Sequence, residues 1–446
     1  DTGSRGLGDV YKRQLQYNFA ILMSVNTKGN FNILAFIIAD FPPIGINQVL
    51  YVSYIEDIRS ATILMDIQVT DSATGFLSDL QGMENVLFVA EDSKQETEIG
   101  GEFVIYDIVD RKNTGGKSSA VIRLCKTDFL NNAANKVSKR FGKGHGRKIN
   151  YLVKKEILQD LLGVDKSRCE DFEPTLNKFS FVSPYWNPFT IIRWLGSRAI
   201  PARRGSGRAA SAGYAFYETR SGYHFVSYDS FSKKMPVVRI VVGHEPKELE
   251  DEDDSGIISV QKINVESAVD LLAGMNMGSY SSNVMTLDLK DFKFTEHPFN
   301  INKYYRDVSV MNSKELPKFY DGFNTTNTYT RIMSKVQDSA LFTSGIFTKD
   351  ITKQLSQSSL REKLFYNKKC TIEMVTNYSL EIGEVVILDV YKGTKDRERD
   401  FANSGKWVIG RVERTYKSGE DKMTTKLTLY TDSDGEDIEE FFEQYD

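Results

Sequence analysis

Short stretches in which apolar and polar residues alternate are the feature that most constrains the fold of this chain. Every second residue of 61–70 (ATILMDIQVT) is apolar, and 103–109 and 119–124 alternate in a similar way. A period of two is that of a half-buried β-strand, and the sequence KNTGGK at 112–117 predicts a tight turn. Short strands with closely spaced turns are typical of antiparallel barrels and sandwiches, so we predict a first β-barrel domain over residues 15–125.

The hydrophobic pattern takes the period of a helix after residue 125. Apolar residues recur at three- and four-residue spacings in 128–141 and in 150–163, which predicts two amphipathic helices. A third helix is predicted to begin at Pro188, because proline is favoured at the first helical position. We therefore predict a helical domain over residues 126–203.

Strand patterns return in the rest of the chain. Residues 214–218 and 223–228 predict a β-hairpin, whereas 265–273 predicts a short helix. The expected fold class is mainly β with an α insert (α+β), with two antiparallel β-barrel-like domains plus a helical domain. The later segments are a β-hairpin and second-barrel segment (204–295), a long connecting or docking segment (296–364), a C-terminal β-barrel segment (365–432) and an acidic tail (433–446).

The first residues do not read as part of the fold. Residues 4–14 (SRGLGDVYKRQ) match one reading frame of the adapter used in transposon-based DNA library preparation. We interpret residues 1–14 as a sequencing-adapter artefact and leave them out of the fold. The first barrel, over 15–125, is then expected to be truncated at its N-terminus.

Charge and composition exclude several classes of protein. The chain has 57 Lys and Arg against 61 Asp and Glu, which argues against a protein whose main task is to coat nucleic acid. Cys125, Cys169 and Cys370 are too scattered for a disulfide framework, and none of the 4 His has a partner at zinc spacing. We therefore expect no metal and no cofactor. The longest apolar run, 31–39, is too short to span a bilayer, so we expect no membrane insertion.

Catalytic motifs are absent from the sequence. Residues 142–146 (GKGHG) lack the preceding strand and the terminal Lys-Ser or Lys-Thr of a phosphate-binding loop, and no Gly-x-Ser-x-Gly nucleophile elbow occurs. No pair among the 61 acidic residues is singled out for glycoside cleavage. We therefore expect that the chain is not an enzyme.

Residues 136–148 carry a run of cations, namely Lys136, Lys139, Arg140, Lys143, Arg147 and Lys148. These cations suit contact with nucleic-acid phosphates, but they also suit the C-terminal end of a helix, where the dipole favours positive charge. Aromatic residues that could stack on bases are not interleaved with them. We therefore predict a solvated helix end.

Two stretches carry a resemblance to a known family. The first combines a Pro-Phe-x-x-Ile-x-Trp-Leu helix start with a Phe-x-Glu-x-x-x-Gly-Tyr-x-Phe hairpin, at Pro188, Phe189, Trp194, Phe216, Glu218, Gly222, Tyr223 and Phe225. The second combines Gly-Glu-x-Val with Ser-Gly-Lys-Trp, at Gly383, Ser404, Gly405 and Trp407. In these positions the chain resembles the baseplate central hub proteins of contractile-tailed bacteriophages, a family shared with the type VI secretion spike base. Taken singly, the aromatic residues among them are expected to be core residues.

The resemblance implies a structural component of a phage tail baseplate. Such hubs are homotrimeric rings that adapt a six-fold tail tube to a three-fold spike and leave a channel for DNA ejection. The implied partners are further copies of the chain, tail-tube or tube-initiator proteins, a separate trimeric spike protein, and passing DNA without sequence-specific binding. The implied location is the virion, in the tail baseplate, after assembly in the host cytoplasm.

Other functions stay open at this point. One is a tail-associated cell-wall or glycan hydrolase, which would need a cleft with a carboxyl group of raised pKa. Another is a glycan-binding or receptor-binding tail protein, which would need an exposed aromatic platform. The resemblance also does not separate a phage hub from a secretion-system spike base.

Overall fold

The structure is a computed structural model. It describes residues 30–72, 74–92, 97–143, 146–169, 171–202, 212–242, 257–260, 263–267, 276, 281–289, 291–300, 309–312, 331–337, 351–366, 368–375, 378–392, 398–420 and 422–435. The region predicted to be an adapter artefact and most of the acidic tail lie outside these residues.

Strands dominate the described chain. In the N-terminal part they are β1 (Phe31–Ile38), β2 (Val49–Asp57), β3 (Leu64–Asp71), β4 (Asn85–Asp92), β5 (Glu98–Thr114) and β6 (Lys117–Cys125). The middle part holds β7 (Arg140–Phe141), β8 (Arg147–Lys148), β9 (Lys178–Phe179), β10 (Phe181–Val182), β11 (Tyr214–Thr219), β12 (Gly222–Ser227), β13 (Pro236–Val242), β14 (Ile257–Val260) and β15 (Ile263–Ser267). The remaining strands are β16 (Ser281–Asp288), β17 (Lys293–Asn300), β18 (Arg331–Gln337), β19 (Lys368–Val375), β20 (Val385–Val390), β21 (Gly405–Lys417) and β22 (Thr424–Thr431).

Helices are fewer and shorter. They are α1 (Phe76–Asp79), α2 (Thr127–Ala134), α3 (Ile149–Tyr151), α4 (Asp160–Leu162), α5 (Pro188–Gly196), α6 (Tyr228–Phe231) and α7 (Ile351–Phe365). A π-helical stretch, Leu152–Gln159, joins α3 to α4, and short 3-10 turns lie at Ile46–Gln48 and Lys166–Arg168. No helix of the described residues is long and apolar enough to cross a membrane.

The strands predicted from alternation form an antiparallel sheet in the N-terminal part, in the order β1-β4-β5-β6-β3-β2. Alternate residues of β3 are buried, as the period of two requires. They contribute to a first core that includes Phe36, Val52, Ile67, Phe88 and Ile122. The prediction of strands in this part of the chain is confirmed.

Strand β21 joins the N-terminal strands to the C-terminal ones. Its residues 411–417 pair with β2, and its residues 405–408 pair with β20. Residues 408–415 of β21 pair with β22 along the other edge of the strand. Strands β2 and β20 therefore share one edge of β21. At the change of partner lies Gly410, whose carbonyl accepts a hydrogen bond from the Ile58 amide (2.8 Å). Among the described residues, strands of both halves of the chain therefore belong to one sheet of 13 strands.

The two regions predicted to be antiparallel barrels do consist of strands, but these strands do not close into barrels. We find no closed barrel among the described residues, because the sheet runs from β1 across β21 to β14 and branches through β22 to β19 and β15. The pairing is also not wholly antiparallel, since β13 runs parallel to both β14 and β20. The long strand β21 has room for two neighbours on one edge, which merges strands that the sequence pattern assigns to separate barrels.

The helix predicted over 128–141 is shorter than expected. Helix α2 ends at Ala134, and the Asn187 side chain donates hydrogen bonds to the carbonyls of Asn132 (2.8 Å) and Ala133 (3.2 Å). This side chain satisfies carbonyls that a longer helix would have used, and the chain continues into β7. The prediction that the cations of 136–148 lie at a helix end is therefore wrong.

Two other helix predictions are confirmed. Helix α5 begins at Pro188, and the α3–π–α4 stretch ends at Leu162, followed by Gly163 in the left-handed region (φ +74°). A left-handed glycine after the last helical residue is a common helix stop.

Two features of the region after residue 260 were not expected. The start of the helix predicted over 265–273 is wrong, because β15 pairs with the edge of β19 instead. The rest of that prediction lies outside the described residues. Helix α7 lies in the segment 296–364, whose weak pattern predicted no helix.

Candidate functional site

Hairpin β11–β12 places half of the family-motif residues in one apolar core. Phe216 and Tyr223 are stacked across the hairpin with centroids 5.5 Å apart, and both present their rings to Phe189 of α5. Pro188 begins α5, and the Phe189 amide donates to the Asn132 side chain (2.7 Å). This helical core also includes Phe141, Ile157, Leu195, Tyr214 and Phe225.

The hairpin is buried on both of its faces. Phe216 and Phe225 point into the helical core, whereas Tyr217 and Val226 point into a second core. This second core also includes Ile240, Ile372, Leu388, Trp407 and Leu429. Since successive strand residues face opposite sides, the hairpin separates the two cores and contributes to each.

Trp194 lies at the edge of the helical core and is half-buried. Its ring contacts Phe181 (centroids 4.9 Å apart) and Trp186 (5.6 Å), and the Arg198 guanidinium lies 3.9 Å from its centroid. The cation therefore covers the part of the indole that the core leaves open.

Glu218 is the charged residue of the motif and is buried where three parts of the chain meet. Its carboxylate accepts hydrogen bonds from Arg168 Nη2 (2.5 Å) and from the Ile63 amide (3.1 Å). Arg168 also donates to Asp128 (2.6 Å). Burial raises the pKa of Glu218 to about 7, against the opposing effect of Arg168 and Lys126. The ion pairs therefore tie the hairpin to α2 and to the 3-10 turn after α4, and the Ile63 hydrogen bond ties it to the residue before β3.

Gly222 and Phe225 hold the hairpin against the loop that precedes α5. Gly222 has φ +132°, and a Cβ there would lie 2.4 Å from the Arg168 carbonyl oxygen. The Phe225 amide donates a hydrogen bond to the Asp171 carbonyl (3.0 Å), and the Phe225 carbonyl accepts one from the Glu173 amide (2.9 Å). Any residue larger than glycine at 222 would push this loop away.

The second group of motif residues lies in the second core. Gly383 has φ +82°, and a Cβ there would lie 2.1 Å from the Tyr217 hydroxyl. Ser404 is buried and accepts a hydrogen bond from the Val390 amide (3.0 Å). Trp407 is also buried, and its indole nitrogen donates to the Asn403 carbonyl (3.2 Å).

Gly405 leaves room for a side chain from elsewhere in the chain. Its φ is +118°, and a Cβ there would lie 2.6 Å from Asn312 Oδ1. The same oxygen accepts a hydrogen bond from the Lys406 amide (2.8 Å). The motif residues therefore form two groups, one in each core, and the hairpin connects the groups through Tyr217.

Sequence analysis missed a buried ionic cluster around Arg361 of α7. Its guanidinium donates to Asp229 (2.8 Å), to Asp432 (2.7 Å) and to the Tyr228 carbonyl (3.1 Å). Asp432 also accepts from the Met311 amide (2.8 Å). Only Asp432 carried a signal, as part of an Asp-Ser pair after the last strand, because Arg361 lies in a segment without a clear pattern.

These buried charges connect elements of the fold. In the part of the chain that the structure describes, no group of three or more His, Cys, Asp or Glu side chains could hold a metal ion. Burial raises the pKa of Glu384 to about 7, and this carboxyl accepts a hydrogen bond from the Glu381 amide (2.9 Å). Glu218 and Arg361 therefore hold one element against another, whereas the hydrogen bond of Glu384 is local.

No protein-family model matches the sequence, and no curated protein matches it. Solved structures do match. The tail protein from Neisseria meningitidis MC58 superposes with a TM-score of 0.53 at 10% identity, over 90% of this chain and 97% of that chain. The 43 kDa tail protein of prophage MuSo2 from Shewanella oneidensis superposes with a TM-score of 0.51 at 7% identity, over 90% of this chain and 98% of that chain.

The chain shares the fold of these two tail proteins. The match extends over nearly the full length of both tail proteins, so it concerns the whole architecture and not one shared motif. The resemblance to tail proteins, found on the motifs of α5, the hairpin and the strands β20 and β21, is thereby confirmed at the level of the fold. The type VI secretion component c3393 from E. coli also matches, with a TM-score of 0.44 at 12% identity over 90% of this chain and 76% of that chain.

Proposed function

We propose that this chain is a structural, non-enzymatic component of a phage tail baseplate. In this proposal three copies form a hub ring that adapts the six-fold tail tube to a three-fold spike and leaves a channel for DNA. The observation that carries the proposal is the fold shared with two tail proteins over 90% of this chain.

The arrangement of the sheet fits a ring-forming subunit. A chain with two β regions presents two surfaces of similar kind, and a three-fold ring of such chains then offers six. Here the N-terminal strands and the C-terminal strands are connected through β21. Glu218 and Arg361 are paired with charged groups of other elements, which suits a structural subunit better than a catalytic cleft.

The proposed partners follow from the ring. They are further copies of the chain, tail-tube or tube-initiator proteins on one side, and a separate trimeric spike on the other. DNA would pass without sequence-specific binding, and the formal charge of −4 is compatible with a channel that does not retain phosphates. The proposed location is the virion, with assembly in the host cytoplasm.

Light scattering of the full chain over a concentration series tests the proposal. We expect a particle of about three times the chain mass of 50.6 kDa, and a ring with a central channel in negative-stain images. A monomer that stays monomeric and soluble at high concentration would contradict the hub. Clearing of cell-wall material in a zymogram would contradict the non-enzymatic part of the proposal.

A further inference from the structure

The small sheet β17-β16-β18 presents apolar side chains to the solvent. It is separate from the 13-stranded sheet, and its central strand β16 runs antiparallel to β17 and parallel to β18. Leu287 lies opposite Phe294, and Asn283, on the same side of β16, lies opposite Ile332. Phe294 and Ile332 are both exposed, the latter to 61%. We call this side the β16–β18 face; its apolar residues are Met285, Leu287, Phe294 and Ile332.

The buried side of the same sheet is more polar than its exposed side. Helix α7 lies against β16 and β17, and Ser282, Val284 and Thr286 of β16 are buried. The Thr286 hydroxyl forms a hydrogen bond with the Thr295 hydroxyl across the β16–β17 pair (2.6 Å). A sheet with one solvated face normally buries apolar residues and exposes polar ones. The reversed pattern indicates that another protein surface covers the β16–β18 face.

The turn between β16 and β17 extends this face with a further aromatic residue. Phe292 has φ +51°, a left-handed conformation that bulky residues rarely adopt. With 79% and 57% of their surface exposed, Phe292 and Phe294 together present roughly 200–340 Å² of aromatic surface. The largest apolar patch of an ordinary monomer measures about 300–600 Å² and is often functional. The two rings alone therefore approach the size of a binding surface.

A second apolar sheet face lies on the outer side of β1 and β4. Ile37 lies opposite Leu87, and Ala35 lies opposite Val89. Leu87 is exposed and the other three are half-buried, whereas their neighbours along each strand point into the first core. We call this side the β1–β4 face; it consists of Ala35, Ile37, Leu87 and Val89.

The outer side of the neighbouring strands β3 and β6 shows what a solvated face of this sheet looks like. There Asp66 lies opposite Arg123, and Thr70 lies opposite Ser119. These strands follow the usual rule of one apolar and one polar face. Strand β1 ends the sheet, and at this edge both faces are apolar. Strands that are apolar on both faces are typical of a sheet that is buried on both sides.

Two different apolar faces on one chain are what a closed ring of copies requires. In a ring of three, a surface of one copy meets a different surface of the next copy, so each subunit must carry two complementary surfaces. Two sheets pack face to face through apolar side chains, with the sheets about 10 Å apart. A single contact with a different protein would need only one such face. The pair of faces therefore favours a second copy of this chain as the occupant of each.

We propose that the β16–β18 face of each copy docks on the β1–β4 face of the next copy in the ring. This inference rests on the proposed function, because it specifies how the three copies of the hub contact each other. The aromatic residues of the β16–β17 turn pack against the apolar pairs of β1 and β4. The contact is apolar at its centre, so the trimer depends little on salt.

Light scattering of single-residue variants of the full chain tests the two faces. Leu87→Lys places a charge on the β1–β4 face, and Phe294→Lys places one on the β16–β18 face. For each we expect the concentration at which half of the chains are trimeric to rise at least tenfold, with an unchanged circular dichroism spectrum. Tyr185→Lys is the matched control, because Tyr185 is 71% exposed outside both faces, and it should leave the trimer unchanged. An effect of the control as large as that of the two variants, or of one face alone, would overturn the proposal.

Mixing the two variants shows whether the faces contact each other. Leu87→Lys keeps an intact β16–β18 face, and Phe294→Lys keeps an intact β1–β4 face. An equal mixture can therefore form one intact contact but cannot close a ring. With one variant labelled with ¹⁵N, native mass spectrometry should show dimers that contain one chain of each kind. Dimers of either variant by itself would mean that a face contacts its own copy, and a mixture that stays monomeric would separate the two faces; both results would overturn the proposal.

Phe292→Asn separates a role in the contact from a role in the fold. Asparagine tolerates the left-handed conformation, so the urea midpoint of the dilute monomer should stay equal or rise. The trimer should nevertheless weaken at least fivefold, because the exposed ring is lost. A natural chain that is trimeric, with all of these variants equally trimeric, would overturn the docking and leave the hub in place. A natural chain that is monomeric at every concentration would overturn the proposed function and the docking together.

Discussion

Single glycines decide how closely the elements of this molecule approach. At Gly383 two features exclude a side chain: φ is positive, and a Cβ would lie 2.1 Å from the Tyr217 hydroxyl. The hairpin and the beginning of β20 are in contact there, so a methyl group would separate them. The motif glycines are thus a consequence of packing between elements and not only of turn geometry.

Gly383→Ala is expected to lower the free energy of unfolding by about 2–5 kcal/mol. About 1–2 kcal/mol comes from the left-handed backbone and about 1–3 kcal/mol from the clash with Tyr217. Urea unfolding of the full chain measures the loss.

Gly419→Ala is the matched control for the loss of stability that comes from the left-handed backbone alone. Its φ is +92°, but no atom lies within 4 Å of a Cβ there. We expect a loss of only about 1–2 kcal/mol. In the Gly383→Ala background, Tyr217→Phe should recover part of the loss, because it removes the clashing oxygen. Equal losses at the two glycines would contradict the role of Tyr217.

At the scale of elements, a buried cation connects α7 to two other elements, beside the apolar contacts of Phe365 in the second core. Arg361 connects α7 to α6 through Asp229 and to the end of β22 through Asp432. Burial penalises each charge, and the mutual attraction offsets the penalty only while every partner is present. A buried cluster of this kind fixes the position of the helix more than it adds to stability.

Arg361→Met is expected to cost about 3–5 kcal/mol, because it leaves Asp229 and Asp432 as buried charges without their cation. Thermal and urea unfolding measure the effect. Asp229→Asn with Asp432→Asn in the same background should return part of the stability, which a simple loss of packing would not allow.

Arg411→Met is the control for a surface cation. Its side chain is 38% exposed and pairs with Asp57 (3.5 Å) and Glu413 (3.3 Å). We expect a change below about 1 kcal/mol. If the two substitutions cost the same, the cluster around Arg361 has no special role.

At the scale of the whole molecule, the three cores share elements. Strand β21 contributes Tyr416 to the first core and Trp407 to the second, and the hairpin β11–β12 contributes to the helical and second cores. A region that supplies side chains to two cores cannot unfold in one of them alone. We infer that the three cores unfold together.

Tryptophan fluorescence reports on this coupling because all 3 Trp lie outside the first core. Ile67→Ala, in the first core, is expected to cost about 2–5 kcal/mol and to shift the fluorescence transition to lower denaturant. Circular dichroism should shift by the same amount. A separate early transition by circular dichroism, with the fluorescence midpoint unchanged, would mean that the first core unfolds alone.

Leu34→Ala is the control in the same part of the chain. Leu34 is 50% exposed, so its removal leaves no cavity. Both midpoints should stay within about 0.5 kcal/mol of those of the natural chain.

Local patterns predicted the elements whose neighbours in the chain define them. Strand β3, the start of α5 at Pro188 and the hairpin β11–β12 all followed from period, proline and turn signals. Where a residue far away in the sequence contacts a segment, the same local signals predicted the wrong secondary structure or the wrong end of a helix. Helix α2 ends early because Asn187 bonds its last carbonyls, and β15 replaces a predicted helix because the edge of β19 pairs with it.

The candidate site divides in the same way. Its aromatic and glycine positions could be found from their order along the chain, and the comparison with tail proteins agrees with the fold they suggested. Arg168 and Arg361 could not be found, because an ion pair between residues far apart in sequence leaves no local pattern.

The sequence by itself determined the alternating strands of the N-terminal part, the hairpin β11–β12, the start of α5 and the glycines and aromatics of the motifs, because these depend on periodicity and on backbone conformation. Only the tertiary structure decided that the strands of both halves share β21 instead of closing two barrels, and that buried charges connect the hairpin and α7 to the cores. Strand pairing and ion pairing depend on which distant groups come within a few ångströms of each other, and no local pattern specifies that.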